Sequence, residues 1–288
     1  MTAIPAIGRL AAALAIALAA SSPALADDAA TPIPPNCAAP PALSAIDAAL
    51  DRTSSRILSG QPLTIVAMGS SSTLGVGASS PTLSYPSRLE QELRRRFPGV
   101  EIRVVNHGVS GQDVPEELTR LGRDVITERP DLVVWQVGTN AVLRRDDLSA
   151  DEQLISRGVA LMKENGIDIV LMDLQYAPRV LARAASAEME RLIADIARRT
   201  QVGLFRRFEI MQVWDRTQQL APASSVGRDG LHMTDAGYAC LANQLAEALA
   251  SNWRASDKLA KSPQRSPDAI AGVRRSTGVQ PAGSSGPH

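Results

Sequence analysis

The chain carries three histidines, and His232 stands three residues after an aspartate, in Asp229-Gly230-Leu231-His232. His288 is the last residue of a tail without periodicity, so His232 and His107 are the two candidate bases. An imidazole titrates near neutral pH and can take the proton of a hydroxyl within hydrogen-bond reach. A carboxylate three residues away is placed to accept from the other ring nitrogen and fix its tautomer. Hydroxyls for such a base stand together in Gly69-Ser70-Ser71-Ser72, where residue type alone leaves all three serines open. Two more polar clusters, Asn106-His107-Gly108-Val109-Ser110-Gly111-Gln112 and Gly138-Thr139-Asn140-Ala141, hold donors that could face an oxyanion. Gly111 equally suits a tight turn, and Asn140 a strand-end cap. Three histidines and two cysteines are too few for a zinc site of the usual ligand types, and no metal or other cofactor is expected.

These clusters need elements to position them. Short apolar, β-branched runs at residues 63–68, 102–105, 132–137 and 167–172, with a weaker one at 202–205, read as strands. Their continuous apolarity fits strands buried on both faces of a parallel sheet. Amphipathic stretches of helical length lie between them. Residues 85–97 place Leu89 and Leu93 inward and Arg94-Arg95-Arg96 outward. Residues 115–128 carry Leu118, Leu121 and Val125, residues 150–165 carry Leu154, Val159 and Leu161, and residues 185–200 carry Met189, Leu192, Ile193 and Ile196. A last helix over 234–253 has Leu241, Leu245 and Leu249 at four-residue spacing, with Thr234 as its N-cap. Alternation of this kind predicts an α/β fold, a three-layer α/β/α sandwich with about five parallel strands. Such sheets bind ligands beyond the carboxyl ends of their strands, and three of the four polar clusters follow predicted strands.

With the four clusters in this order, the sequence resembles the SGNH/GDSL hydrolase superfamily over roughly residues 63–250. The resemblance implies a flavodoxin-like fold and assigns roles by position. Ser71 falls on the nucleophile, in Gly69-Ser70-Ser71 where the family usually has Gly-Asp-Ser. Gly111 falls on the second-block glycine, Asn140 on the third-block asparagine, and Asp229 and His232 on the last block. The implied catalytic set is Ser71, Asp229 and His232, with an oxyanion hole from the N–H groups of Ser71 and Gly111 and the amide of Asn140. Ser70 replaces the family's usual aspartate, and Ala141 the aspartate that often follows the asparagine. His107 lies off the matching positions and reads as a pocket-wall or structural residue. Gln175 and Tyr176, after the fourth strand, are further candidates to touch substrate. Arg144 and Arg145 read as a solvated loop pair that could meet an anionic group.

The ends of the chain read differently. Arg9, an apolar run at residues 10–20 and the Ala24-Leu25-Ala26 ending make residues 1–26 a secretory signal peptide. Residues 27–38 read as a proline-rich lead-in, 39–254 as the hydrolase domain, and 255–288 as a disordered tail too polar to offset chain entropy. Lys plus Arg and Asp plus Glu are 30 each, so no basic excess favours nucleic acid. Mature protein is expected in the periplasm or outside the cell, without a membrane span, where Cys37 and Cys240 can pair. The alternative is a buried thiol at 240 and a free one at 37. The expected function is an exported serine esterase acting on small-molecule or glycan-borne esters, of short-chain acyl, acetyl-polysaccharide or lysophospholipid type. The alternatives are a catalytically silent envelope binding protein on the same fold and an acyltransferase using the same serine. Three each of Trp, Tyr and Phe are too few for a long sugar-stacking groove.

Overall fold

Apolar runs separated by amphipathic helices build a sheet whose central strands are almost wholly buried. The computed structural model describes residues 37–144 and 148–261, together with Thr2. The expected signal peptide, most of the lead-in, Arg145 and the tail from residue 262 lie outside the described residues. The chain enters through α1 (Pro41–Ser44) and α2 (Asp51–Leu58), then forms β1 (Leu63–Gly69), the short α3 (Ser71–Leu74) and α4 (Tyr85–Arg96). It continues through β2 (Ile102–Gly108), α5 (Val114–Asp124), β3 (Leu132–Gln136), α6 (Thr139–Arg144) and α7 (Asp151–Glu164). Then come β4 (Asp168–Met172), α8 (Pro178–Leu181), α9 (Ser186–Thr200), β5 (Gly203–Phe205), α10 (Arg207–Arg216), α11 (Pro222–Ser225) and α12 (Asp235–Lys261).

The five strands are all parallel, in the order β2-β1-β3-β4-β5. In register, Ile65 of β1 lies between Val104 and Leu132. After β2 the chain crosses to the other side of β1, so the strand order reverses between β1 and β3. A crevice opens at such a reversal, beyond the carboxyl ends of the strands. On one face α12 packs on α2 and α4; on the other α5 packs on α7, and α7 on α9. The result is the expected three-layer α/β/α sandwich. β3 is buried along its whole length, whereas β2, at the sheet edge, exposes Arg103 and Asn106.

Local chemistry explains where the helices start. Asp113 and Glu116 form a reciprocal capping box at α5, with Pro115 in its first turn. Thr234 Oγ1 accepts from the Gly237 N–H at 3.1 Å, the expected N-cap of α12. Four expectations are corrected. Leu161 is 40% exposed, and the buried stripe of α7 is Ile155, Gly158, Val159 and Met162. Gly158 is required there, because a Cβ would come within 2.4 Å of the Trp135 ring. Arg96 does not turn outward: it ion-pairs with Glu92 and donates to Asn243 on α12 at 2.6 Å. The helix expected over 115–128 breaks at Val125 into a separate 3-10 turn, Ile126–Glu128. Finally, α12 passes Trp253 and is described as far as Lys261, so the first seven residues assigned to the tail are helical.

Cys37 and Cys240 are joined in a disulfide with Cα atoms 5.4 Å apart, and the Trp214 indole donates to the Cys37 carbonyl at 3.1 Å. The end of the lead-in is thus fixed against α12 and α10. Among the described residues, no helix is long and apolar enough to cross a membrane.

Candidate active site

Where β1 ends, the chain turns into α3 within one residue: the N–H groups of Thr73 and Leu74 both bond to the Ser70 carbonyl, at 3.1 and 2.9 Å. The three serines there separate by what holds them. Ser70 is buried, and its N–H and Oγ both donate to Gln136 Oε1, at 3.1 and 2.9 Å. Ser72 Oγ accepts from Arg207 at 2.8 Å. Ser71 Oγ lies 2.9 Å from His232 Nε2. Of the three, Ser71 is the one whose hydroxyl lies within hydrogen-bond distance of His232.

His232 sits in a loop pinned by its own backbone. Its carbonyl accepts from the Gly227 N–H at 2.7 Å, and an isolated bridge pairs Val226 with Met233. Its Nδ1 is 2.5 Å from Asp229 Oδ2, while Asp229 Oδ1 accepts from the N–H groups of Leu231 and His232, both at 3.0 Å. Partial burial pushes the Asp229 carboxyl up, but the hydrogen bonds from His232 and these two N–H groups outweigh it and hold the group below its usual value. An ionised Asp229 keeps the proton on Nδ1, leaving Nε2 as the acceptor facing Ser71.

The second and third clusters meet each other. Asn140 Nδ2 donates to the Gln112 carbonyl at 2.6 Å, which uses one of its two amide hydrogens. Arg144 donates to the Gly111 carbonyl. Arg120, buried on α5, donates to Gln112 Oε1 at 2.5 Å, to the His107 carbonyl at 2.8 Å and to the Gly69 carbonyl at 3.1 Å. The loop bearing Gly111 is thus tied to the end of the serine-bearing strand. Gly111 adopts φ +80°, which a glycine takes without strain, and a Cβ there would meet only Arg144 at 3.7 Å. Close approach is required instead at Gly108, where a Cβ would come within 2.0 Å of the Leu74 N. The N–H groups of Ser71 and Gly111 have no backbone acceptor among the described residues.

The other candidates fall elsewhere. His107 is in β2 with Nε2 3.7 Å from Glu128, away from His232. Gln175 is buried and does not face a substrate: its Oε1 accepts from Thr139 at 2.9 Å and from Arg207 at 2.9 Å, and its Nε2 lies 3.5 Å from the Leu231 carbonyl. Tyr176 packs edge-on against Phe208, with ring centroids 5.3 Å apart. Among the described residues no group of three or more His, Cys, Asp or Glu is placed to hold a metal ion.

Sequence reasoning missed Gln136, Arg120 and Arg207, the groups that brace the site. Two left a trace. Gln136 is a lone amide in an apolar strand. On α5 the inward positions Glu117, Arg120, Leu121 and Asp124 follow helical spacing but are mostly charged, so a search for apolar stripes passes over them.

The Non-GDSL lipase-like family matches residues 36–255. An arylesterase from Vibrio mimicus is 30% identical over 95 residues, covering 33% of this chain and 46% of its own. An acetylxylan esterase from Geobacillus stearothermophilus is 38% identical over 80 residues, covering 28% of this chain and 33% of its own. The chain thus spans less than half the length of both relatives. A solved two-domain esterase active on acetylated mannans shares the fold, with TM-score 0.59 at 19% identity over 73% of this chain and 56% of that one. With the family match running through the strands, the serine turn and the histidine loop alike, the chain belongs to the Non-GDSL lipase-like family, within the SGNH/GDSL hydrolase superfamily.

Proposed function

We propose that the protein is an exported serine esterase that removes small acyl groups, acetyl above all, from glycan-borne or other small esters. The observation that carries this reading is the unbroken line Ser71 Oγ, His232 Nε2, His232 Nδ1, Asp229 Oδ2, with steps of 2.9 and 2.5 Å. In the first half-reaction His232 takes the Ser71 proton as Oγ attacks the ester carbonyl. The oxyanion forms against the N–H groups of Ser71 and Gly111 and the free amide hydrogen of Asn140. His232 then protonates the departing alcohol, leaving an acyl-serine that water cleaves by the same steps in reverse order of roles. The relatives named for acetylxylan and aryl esters support a small acyl group. The signal-like amino terminus and the disulfide support export. A silent binding protein would have no need of an aligned serine and base.

The test exposes residues 27–288 to a fluorophosphonate probe, to nitrophenyl esters of increasing chain length, and to acetylated xylan and mannan oligosaccharides. Labelling at Ser71 with acetate release, falling off for long acyl chains, is expected. No labelling and no hydrolysis would overturn the reading, and preference for long chains would replace its substrate class. A protonated imidazole cannot take the serine proton, so the rate should fall on acidification.

A further inference from the structure

Arg207, the first residue of α10, is fully buried, yet no charged partner lies within ion-pair distance among the described residues. Its guanidinium is directed at the backs of the functional loops. Nη1 donates to Ser72 Oγ at 2.8 Å; Nη2 donates to the Asp173 carbonyl at 2.5 Å and to Gln175 Oε1 at 2.9 Å. Gln175 carries the connection onward, accepting from Thr139 Oγ1 at 2.9 Å and reaching the Leu231 carbonyl at 3.5 Å. Ser72, Thr139 and Leu231 are the sequence neighbours of Ser71, Asn140 and His232. Two buried side chains therefore touch the residue beside the nucleophile, the one beside the oxyanion amide and the one beside the base.

From this juxtaposition we propose that Arg207 and Gln175 are positioning residues that hold Ser71, Asn140 and His232 in one frame. The inference rests on the esterase reading for its kinetic arm. Arginine suits the task because a planar fork can donate in several fixed directions, which a lysine ammonium cannot. The buried charge is balanced at short range rather than by contact. Asp173 and Glu190 share a hydrogen bond near Arg207, and burial pushes both carboxyls up against the pull of the Arg207 charge. Asp173 is itself fixed, since Oδ1 accepts from the Phe208 N–H at 3.0 Å. A purely structural charge cluster would not need a fork that reaches Ser72 directly and, through Gln175, Thr139 and the Leu231 carbonyl.

The test compares Arg207→Met, Arg207→Lys and Gln175→Met. Gln175→Met keeps the volume and the buried charges, and so remains informative where an Arg207 variant fails to fold. Rates of nitrophenyl acetate hydrolysis are divided by active sites counted with the fluorophosphonate probe, which removes any loss from unfolded chains. For Gln175→Met we expect kcat per site to fall about tenfold with KM changed less than twofold, and for Arg207→Met about a hundredfold, with Arg207→Lys recovering only part. In proton spectra, the low-field resonance of the His232 Nδ1–H should shift or broaden in Gln175→Met, a readout that needs no substrate. Wild-type kcat per site together with an unchanged low-field resonance would overturn the proposal. A wild-type protein that neither hydrolyses nor labels would overturn the esterase reading instead, and the resonance alone would then decide the positioning claim.

Discussion

The two ends of the sheet use buried polar groups in opposite ways. At the amino ends, Asp131 and Asp168 stand at the starts of β3 and β4, and both hold α2. Asp131 Oδ1 meets Arg52 at 2.8 Å and Arg56 at 3.2 Å, while Oδ2 accepts from the Thr64 N–H at 3.0 Å. Asp168 Oδ2 accepts from the N–H and Oγ1 of Thr53, at 2.9 and 2.8 Å. At the carboxyl ends the bracing groups are amides and arginines: Gln136, Gln175, Arg120 and Arg207. They grip the loops that carry Ser71, His232 and Asn140. Acids that clamp a helix give stability. Amides and arginines aimed at loops give stability too, while also holding those loops in place relative to one another. Cavity size follows neither pattern. A cavity of about 670 Å³ opens at the amino ends, lined by Asp47, Lys163, Arg198 and Arg206 among others, and it contains no serine facing a base.

The contrast is broken most sharply by activity. Ser71→Ala and His232→Ala should each lower kcat by about 10⁴-fold or more without unfolding the protein, whereas Ser70→Ala and Ser72→Ala should cost tenfold or less. Hydrolysis surviving in Ser71→Ala but lost in either neighbour would reassign the nucleophile. Asn140→Ala should lower kcat about 10²- to 10³-fold at nearly constant KM, if its amide takes the proposed part in binding charge formed in the transition state. A rise in KM alone would make it a substrate contact.

At the amino end the effect should appear only in stability. Asp131→Ala strands two arginines and the Thr64 N–H, and denaturant unfolding should show a loss of about 2–3 kcal/mol with kcat per active site unchanged. A fall in that kcat would mean the two ends are coupled. The smallest effect concerns Glu117, at the carboxyl end on α5, which accepts from the Trp135 indole at 2.7 Å. Burial pushes Glu117 from 4.5 up to about 7, against the pull of Trp135 and Arg120. Between those values the folded protein binds the proton more tightly than the unfolded chain, so stability is lost as pH rises through about 7. Glu117→Gln keeps an acceptor for Trp135 and removes the charge. It should match wild type at pH 5 and exceed it at pH 8 by about 2 kcal/mol. Parallel melting curves at both pH values would refute this.

How much of this was legible in the sequence depends on what each residue answers to. Strands such as residues 132–137 announce themselves because burial on both faces demands continuous apolarity, and they fell within a residue or two of β1, β3, β4 and β5. Asp229 and His232 are three residues apart, so their contact is nearly fixed by local geometry. The link from Arg207 to Ser72 spans 135 residues and depends on a guanidinium crossing the interior, which no local pattern encodes. Gln175 lay at a strand end where substrate contacts are expected, but a side chain at that place can point forward to the ligand or back under the loop. Residue type does not distinguish the two. α10 escaped for a related reason: its buried face includes Arg207 beside Ile210, Met211 and Trp214, so its apolar stripe begins with a charge.

The bond between Cys37 and Cys240 has a consequence in time as well as in space. Ribosomal synthesis delivers Cys37 among the first residues of the folded part and Cys240 only after 203 more. With no third cysteine in the chain, the early thiol has no wrong intramolecular partner and must wait. Its bond can close only once α12 has emerged, the helix entered directly from the loop that bears His232. The covalent link thus records that both ends of the chain have been made and brought together, and a chain cut short before its histidine loop would keep an unpaired thiol at its front.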